Sequence, residues 1–176
     1  RRTINDDPLA INAIKRFVAD WERNTGKRNQ VSVASDTGYK VAVVGGGPSG
    51  LTAAYYLRRL GHDVEIFEMM AKLGGMTRYG IPDYRLSDEQ LDWDVEGVLE
   101  LGVKVHTNAV LGRDFTLQSL KNDGFDAIYL AIGSWHGRLL PLEGKELSGI
   151  YSGVDYLRRF HTDEDIVTGK RFIIIG

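Results

Sequence analysis

Three glycines, Gly45, Gly47 and Gly50, stand in the spacing G-x-G-x-x-G between an apolar run at residues 41–44 and a helix-like stretch at residues 51–60. That setting, strand then turn then helix, is where this spacing does chemistry. Gly45 permits a tight turn, Gly47 lets the backbone approach a pyrophosphate, and Gly50 lets helix and strand pack closely. Gly46, Pro48 and Ser49 complete the turn, and the helix beyond it offers free N–H groups and a positive dipole end to phosphate. Glu68 follows 23 positions after Gly45, at the end of a second apolar run. A carboxylate there accepts hydrogen bonds from ribose hydroxyls and repels a 2′-phosphate, so NADP is disfavoured at this turn. Together these residues predict a dinucleotide site rather than a structural turn.

Six residues past Glu68 comes a second glycine pair, Gly74 and Gly75, flanked by Leu73 and Met76. A single-domain NAD dehydrogenase has no need of a second close backbone approach there. A longer dinucleotide such as FAD does, because its flavin half continues beyond the pyrophosphate. The pair therefore favours FAD.

These residues need a scaffold, and the remaining pattern supplies one. Strands are expected at residues 41–44, 64–67, 103–106, 109–111 and 125–131, with helices at 51–60, at 88–101 (opened by Ser87) and at 154–160. Strands separated by helices argue for a parallel sheet in an α/β fold. Before them, Asp7 as N-cap and Pro8 at the first helical position predict a helix. Its stripe of Ile11, Ile14, Phe17, Val18 and Trp21 must pack on something. Residues 26–38 read as a polar linker. Residues 172–175 read as a buried strand stopped at Gly176, and the chain opens on Arg1-Arg2-Thr3 without an initiator Met. A segment of a longer polypeptide is therefore expected.

The 176 residues carry a formal charge of −2 and no cysteine. Neither nucleic acid nor an anionic membrane is an expected partner, and disulfide, thiolate-metal and cysteine-nucleophile chemistry are excluded within these residues. No apolar run approaches the length of a membrane span and no signal peptide opens the chain, so a cytoplasmic protein is expected. His62, His106, His136 and His161 are scattered without metal-ligand spacing, and no catalytic acid–base or nucleophilic set stands out. Trp135 and His136 are candidates to edge toward a flavin.

The motifs reached here resemble the FAD domain of the glutamate synthase small-subunit family, which includes the flavin domain of dihydropyrimidine dehydrogenase and related NAD(P)H-dependent iron–sulfur flavoproteins. The similarity is carried by GGGPSG at residues 45–50, Glu68, LGG at 73–75, YGIPDYRL at 79–86, ELGVKV at 100–105 and FDAIYLAIGSW at 125–135. The resemblance implies a Rossmann-like FAD-binding domain over residues 39–169. Residues 1–38 would be the tail of an iron–sulfur domain, and residues 170–176 the first strand of an incomplete second dinucleotide-binding domain. It implies that the glycine turn and Glu68 hold the ADP half of FAD and that Leu73 to Met76 run beside the pyrophosphate and flavin. Arg85 would contact the cofactor, Val110 or Leu111 would hold adenine through main-chain atoms, and Gly133 would mark the passage between domains.

Departures from the family pattern are Ile132, where a Thr is usual, and Leu140-Pro141-Leu142-Glu143-Gly144. The function implied is electron transfer between NAD(P)H and iron–sulfur centres, the clusters being held upstream or by a partner subunit. A non-catalytic flavin-fold docking subunit and a plain NAD-dependent dehydrogenase are the alternatives.

Overall fold

The computed structural model describes residues 8–166 and 169–175. The chain divides into two compact units, residues 1–32 and 33–176. The first contains helix α1, Ile11–Thr25. Asp7 lies outside the described residues, and Pro8 precedes the helix instead of opening it. The Ile11 N–H turns back to the Leu9 carbonyl at 2.8 Å, and Ala10 caps without a side-chain bond. Gly26 ends α1 in the left-handed region at φ 63°. The expected stripe of Ile11, Ile14, Phe17, Val18 and Trp21 is present and exposed along its whole length.

The second unit is built on four parallel strands: β1 Lys40–Val44, β2 Asp63–Phe67, β3 Lys104–His106 and β4 Ala127–Leu130, in the order β3-β2-β1-β4. Helix α2, Pro48–Arg59, joins β1 to β2, and α4, Asp88–Leu99, precedes β3. Val43, Ala54, Val64, Ile66, Leu73, Leu91, Val95 and Val103 fill the core between the sheet and these helices. On the opposite face Ala42, Val44, Leu120 and Phe125 form a smaller core. Ser87 caps α4 as expected, its hydroxyl accepting from the Gln90 N–H.

Several elements differ from expectation. The loop after β2 contains a short helix α3, Met76–Tyr79, and α5, Leu117–Asn122, opens on a reciprocal Thr116–Ser119 cap. Residues 109–111 form no strand, because the Val110 carbonyl takes the N–H groups of Arg113 and Asp114 in a turn and only a single bridge links Leu111 to Phe115. Residues 172–175 are unpaired and exposed, Ile173 by 91% and Ile174 by 93%, with no neighbouring strand among the described residues to cover them. Residues 33–39 are not a free linker, since Ala34 and Thr37 donate to the Arg59 and Gly61 carbonyls and the Tyr39 carbonyl accepts from Asp63. The last helix, α6, is Gly153–His161. No described helix is long and apolar enough to cross a membrane.

The chain winds outward from β1 through β2 to β3 and then returns to the other side of β1 to lay down β4. The crevice beyond the C-terminal ends of β1 and β4 is thus the switch point at which doubly wound sheets take ligands.

Glu65, on central β2, is nearly buried and receives the Lys40 Nζ at 3.0 Å and the His106 Nε2 at 2.7 Å. Burial raises its pKa, but the His106 and Lys40 hydrogen bonds and the Lys40 charge outweigh it, so Glu65 titrates below its ordinary value. Its ionised form therefore stabilises the fold above the unfolded-state value, and that contribution is lost as pH falls through the lower folded value. Chemical denaturation between pH 7 and pH 3 is expected to show an acid loss of stability that is shallower in Glu65→Gln than in the unaltered chain.

Candidate functional site

The glycine turn sits at this switch point. Gly45 continues from β1 at φ 109°, donates its N–H to the Phe67 carbonyl at 2.8 Å, and would set a Cβ 2.3 Å from the Ala131 carbonyl oxygen. No residue with a side chain fits there without moving the end of β4. A Cβ on Gly50 would lie 1.8 Å from the Gly45 carbonyl oxygen, so the first turn of α2 can approach β1 only as glycine. Gly47 is the N-cap of α2, with Pro48 in the first turn, no side-chain cap and no acidic residue among the first helical positions. The positive end of α2 is therefore open to an anion. Ser49 shares a 3.1 Å hydrogen bond with the Tyr129 hydroxyl of β4.

The second glycine pair is brought against the first, backbone to backbone. The Gly74 N–H donates to the Gly46 carbonyl at 2.8 Å. Gly75, at φ 54°, approaches so closely that a Cβ on it would lie 2.6 Å from the Gly47 Cα. Leu73 closes the junction from below, its Cδ2 occupying the space a Gly46 side chain would need. Met76 follows as the first residue of α3.

Glu68 is only 3% exposed, and both its oxygens are used. Oε2 accepts the Gly46 N–H at 2.6 Å and Oε1 accepts the Met70 N–H at 2.8 Å. The carboxylate thus braces the glycine turn and the start of the next loop. Each oxygen keeps a second lone pair for a further donor.

Val110 and Leu111 lie in the turn beyond β3, tied back to Glu68 through the Ala109 N–H at 2.9 Å. The Val110 N–H is taken by the Asp114 carboxylate and its carbonyl by the turn. Gly133, at φ 67°, lies on the exposed stretch after β4, whose pairing ends when Ala131 donates to Val44. The Trp135 ring stands 5.8 Å from that of Tyr79. Arg85 is exposed, and among the described contacts Asp88 pairs not with it but with Lys72 and Arg78.

Sequence reasoning missed Arg78 and Tyr79. Both are buried, and the Tyr79 hydroxyl bonds the Lys72 backbone at both its N–H and its carbonyl. Burial raises the Tyr79 pKa, keeping a neutral hydroxyl in the loop. The signal for Arg78 is Asp88 and Asp92, a carboxylate pair at i, i+4 on the next helix. No group of metal-ligating side chains occurs among the described residues.

A parallel sheet in this order, with a glycine turn at its switch point, defines a Rossmann-like dinucleotide-binding domain. The family described as an NAD(P)-binding Rossmann-like domain matches residues 43–105. The chain is homologous over nearly its whole length to oxidoreductase subunits. It is 34% identical to the NADP(+)-dependent formate dehydrogenase subunit beta of Moorella thermoacetica, over 100% of this chain and 28% of that protein. It is also 34% identical to the glutamate synthase [NADPH] small chain of Mycobacterium tuberculosis, over 98% of this chain and 38% of that one. Identity to the NAD-dependent dihydropyrimidine dehydrogenase subunit PreT of Salmonella typhimurium is 36%, over 97% and 41% respectively. Among solved structures, FprA, a Mycobacterium tuberculosis oxidoreductase, aligns with a TM-score of 0.63 at 26% identity, over 70% of this chain and 29% of that one. The resemblance read from the motifs is therefore one of homology, and the chain spans well under half the length of these relatives.

The contact between the glycine pairs leaves no room for a methyl group. Gly75→Ala is expected to destabilise the chain by about 1–3 kcal/mol, from a strained backbone and the clash with Gly47, measured by urea unfolding against the unaltered protein.

Proposed function

We propose that this chain is the FAD-holding part of an oxidoreductase subunit passing electrons between NAD(P)H and iron–sulfur centres of a neighbouring domain or partner subunit. The observation that carries this reading is the junction of the two glycine pairs at the switch point. One pair alone serves any dinucleotide pyrophosphate. The second, pressed onto the first by Gly74 and Gly75, makes a side-chain-free wall that continues past the phosphates, as a cofactor with a second large ring system requires. The residues present fit FAD: an uncapped helix N-terminus, a nearby carboxylate, and Gly47 with nothing but Gly75 near the place of its missing side chain.

On this reading the free N–H groups at the start of α2 bind the pyrophosphate, and Glu68 uses its remaining lone pairs on ribose hydroxyls. Leu111 is the better of the two candidates to meet adenine, because the Val110 backbone groups are already engaged. Bound FAD supplies hydride acceptance and one-electron release. The chain contributes position and exclusion of water, with Leu73, Gly74 and Gly75 and the Tyr79–Trp135 pair screening the side away from the ribose. No general base of its own is required. Arg85, exposed here, is proposed as a further contact to the cofactor.

The relatives' names include both NAD- and NADPH-linked subunits. Glu68 disfavours a 2′-phosphate at this turn, so the nicotinamide nucleotide is assigned to a second site beyond residue 170. The competing reading, a plain NAD site at this turn, draws on the name of the matching family. It leaves the second glycine pair without a purpose.

The full-length polypeptide is expected to be yellow as purified, with FAD released on denaturation. A colourless protein that binds NAD at this turn would sink the flavin assignment. Glu68→Ala is expected to weaken FAD binding by about 1–3 kcal/mol and to lower apo-protein stability as well, since the Gly46 and Met70 N–H groups lose their acceptor. Gly47→Val is expected to abolish FAD retention while circular dichroism stays near that of the unaltered chain.

A further inference from the structure

Arg78 is an unusual residue to find inside a glycine-rich loop. It is 5% exposed, and its guanidinium has three separate attachments. Nε donates to the Leu73 carbonyl, Nη1 lies 2.8 Å from the Asp88 carboxylate, and Nη2 is bonded to the Asp92 carboxylate. Asp88 and Asp92 stand one turn apart on α4, whose start is fixed by the Ser87 cap. The side chain also passes directly beneath Gly74, where a Cβ would meet the Arg78 Cβ at 3.0 Å and Nε at 3.3 Å. The loop carrying Leu73, Gly74 and Gly75 is therefore bound from one side to the first glycine turn and from the other to α4, by the buried Arg78 guanidinium alongside the exposed Lys72–Asp88 ion pair and the core shared by Leu73 and Leu91.

These two attachments are of different kinds. The bond from Gly74 to Gly46 fixes one point of the loop, and the Gly75 contact is repulsive at any shorter distance. Neither fixes the loop's tilt about that point. The Arg78 guanidinium does, because a planar group hydrogen-bonded to a carbonyl and a carboxylate, with a second carboxylate 2.8 Å away as an ion pair, has little freedom to rotate. Losing it would also leave the Leu73 carbonyl and the Asp92 carboxylate without their shared donor and remove the positive charge beside Asp88, a cost that falls on this loop and not on β1, the first glycine turn or Glu68.

We propose that Arg78 is a positioning residue for the second half of the bound dinucleotide: acting through Leu73 and the Gly74–Gly75 turn, it orients the surface on which the flavin end of FAD rests and leaves the ADP end to the first glycine turn. This deepens the flavin reading above and rests on it. The dinucleotide site accordingly has two separately supported halves, one held by sheet and α2, the other by α4, with Arg78 as the buried charged link.

The test is equilibrium binding of FAD and of ADP to the full-length apoprotein, comparing the unaltered chain with Arg78→Met, Arg78→Lys and Asp92→Asn. Arg78→Met is expected to weaken FAD binding tenfold or more while ADP binding stays within twofold. Arg78→Lys, which keeps the charge but not the fork, should fall between Met and Arg, and bound FAD should become more fluorescent as its flavin end loosens. Asp92→Asn, which keeps shape and removes one partner, should show the same FAD-selective loss at smaller size, and it carries the test if Arg78→Met does not fold. Equal losses for FAD and ADP, or unchanged FAD binding in both Arg78→Met and Asp92→Asn, would overturn the assignment to Arg78. An unaltered chain that binds ADP but not FAD would overturn the flavin reading itself, a result that the comparison keeps distinct.

Discussion

At the switch point of the sheet, two stretches of bare backbone are packed directly against each other. Gly46 and Gly47 meet Gly74 and Gly75 through one 2.8 Å hydrogen bond and a contact that excludes even a methyl group. Everything else in the second unit is arranged so that these stretches arrive at the same place. The strand order puts the end of β1 at a point where its neighbours diverge, Gly50 lets α2 leave that point at close range, and Leu73 seals the underside. A surface made of peptide groups offers N–H donors and no steric bulk. That is what a phosphate-bearing, ring-carrying cofactor needs from a wall, and what an ordinary packed core does not provide.

Glu68 was expected in one role and is found in another. A carboxylate at the end of β2 was expected to face ribose. In the structure it is already bonded to the Gly46 and Met70 N–H groups and almost wholly buried. A buried carboxylate without partners would be costly. With two backbone donors it instead holds the glycine turn in the shape the ligand requires, before any ligand arrives. On the proposed reading, preorganisation and recognition would therefore fall to one chemical group, and a change at Glu68 would act on both.

The parts legible in the sequence were those governed by local rules. The strand–glycine turn–helix unit, the Ser87 cap and the acid at the end of β2 each follow from a few neighbouring residues, and the structure contains each within three residues of its expected place. What was not legible depended on distant partners. Residues 109–111 carry strand-forming side chains, yet the Asp114 carboxylate and the Val110 carbonyl fold them into a turn. Arg78 looked like one more loop cation, because the carboxylates that define it lie 10 and 14 residues away on another element. Arg85, in a motif specific enough to suggest a cofactor contact, is exposed. The stripe on α1 and residues 172–175 are apolar, yet the stripe is exposed and the expected buried strand is unpaired and exposed; an apolar pattern states only that a surface should be covered and is silent about what covers it.

The two halves of the site also differ in what supports them, and this bears on how such a domain can be tuned. The first glycine turn is fixed by the sheet: Gly45 is bonded to Phe67 and pressed on Ala131, so it cannot shift without moving two strands. The second turn lies outside the sheet and rests on α4 through charged side chains that are half exposed on the carboxylate side. A sheet-borne element tolerates little change because its errors propagate through the ladder. A loop outside the sheet, tied to a helix by an ion-pair cluster, can be re-aimed by altering that cluster. On the proposed reading, the nucleotide end is thus the invariant part of the fold, and the end that carries the electron chemistry is the part that substitutions in α3 and α4 can adjust without unmaking the domain.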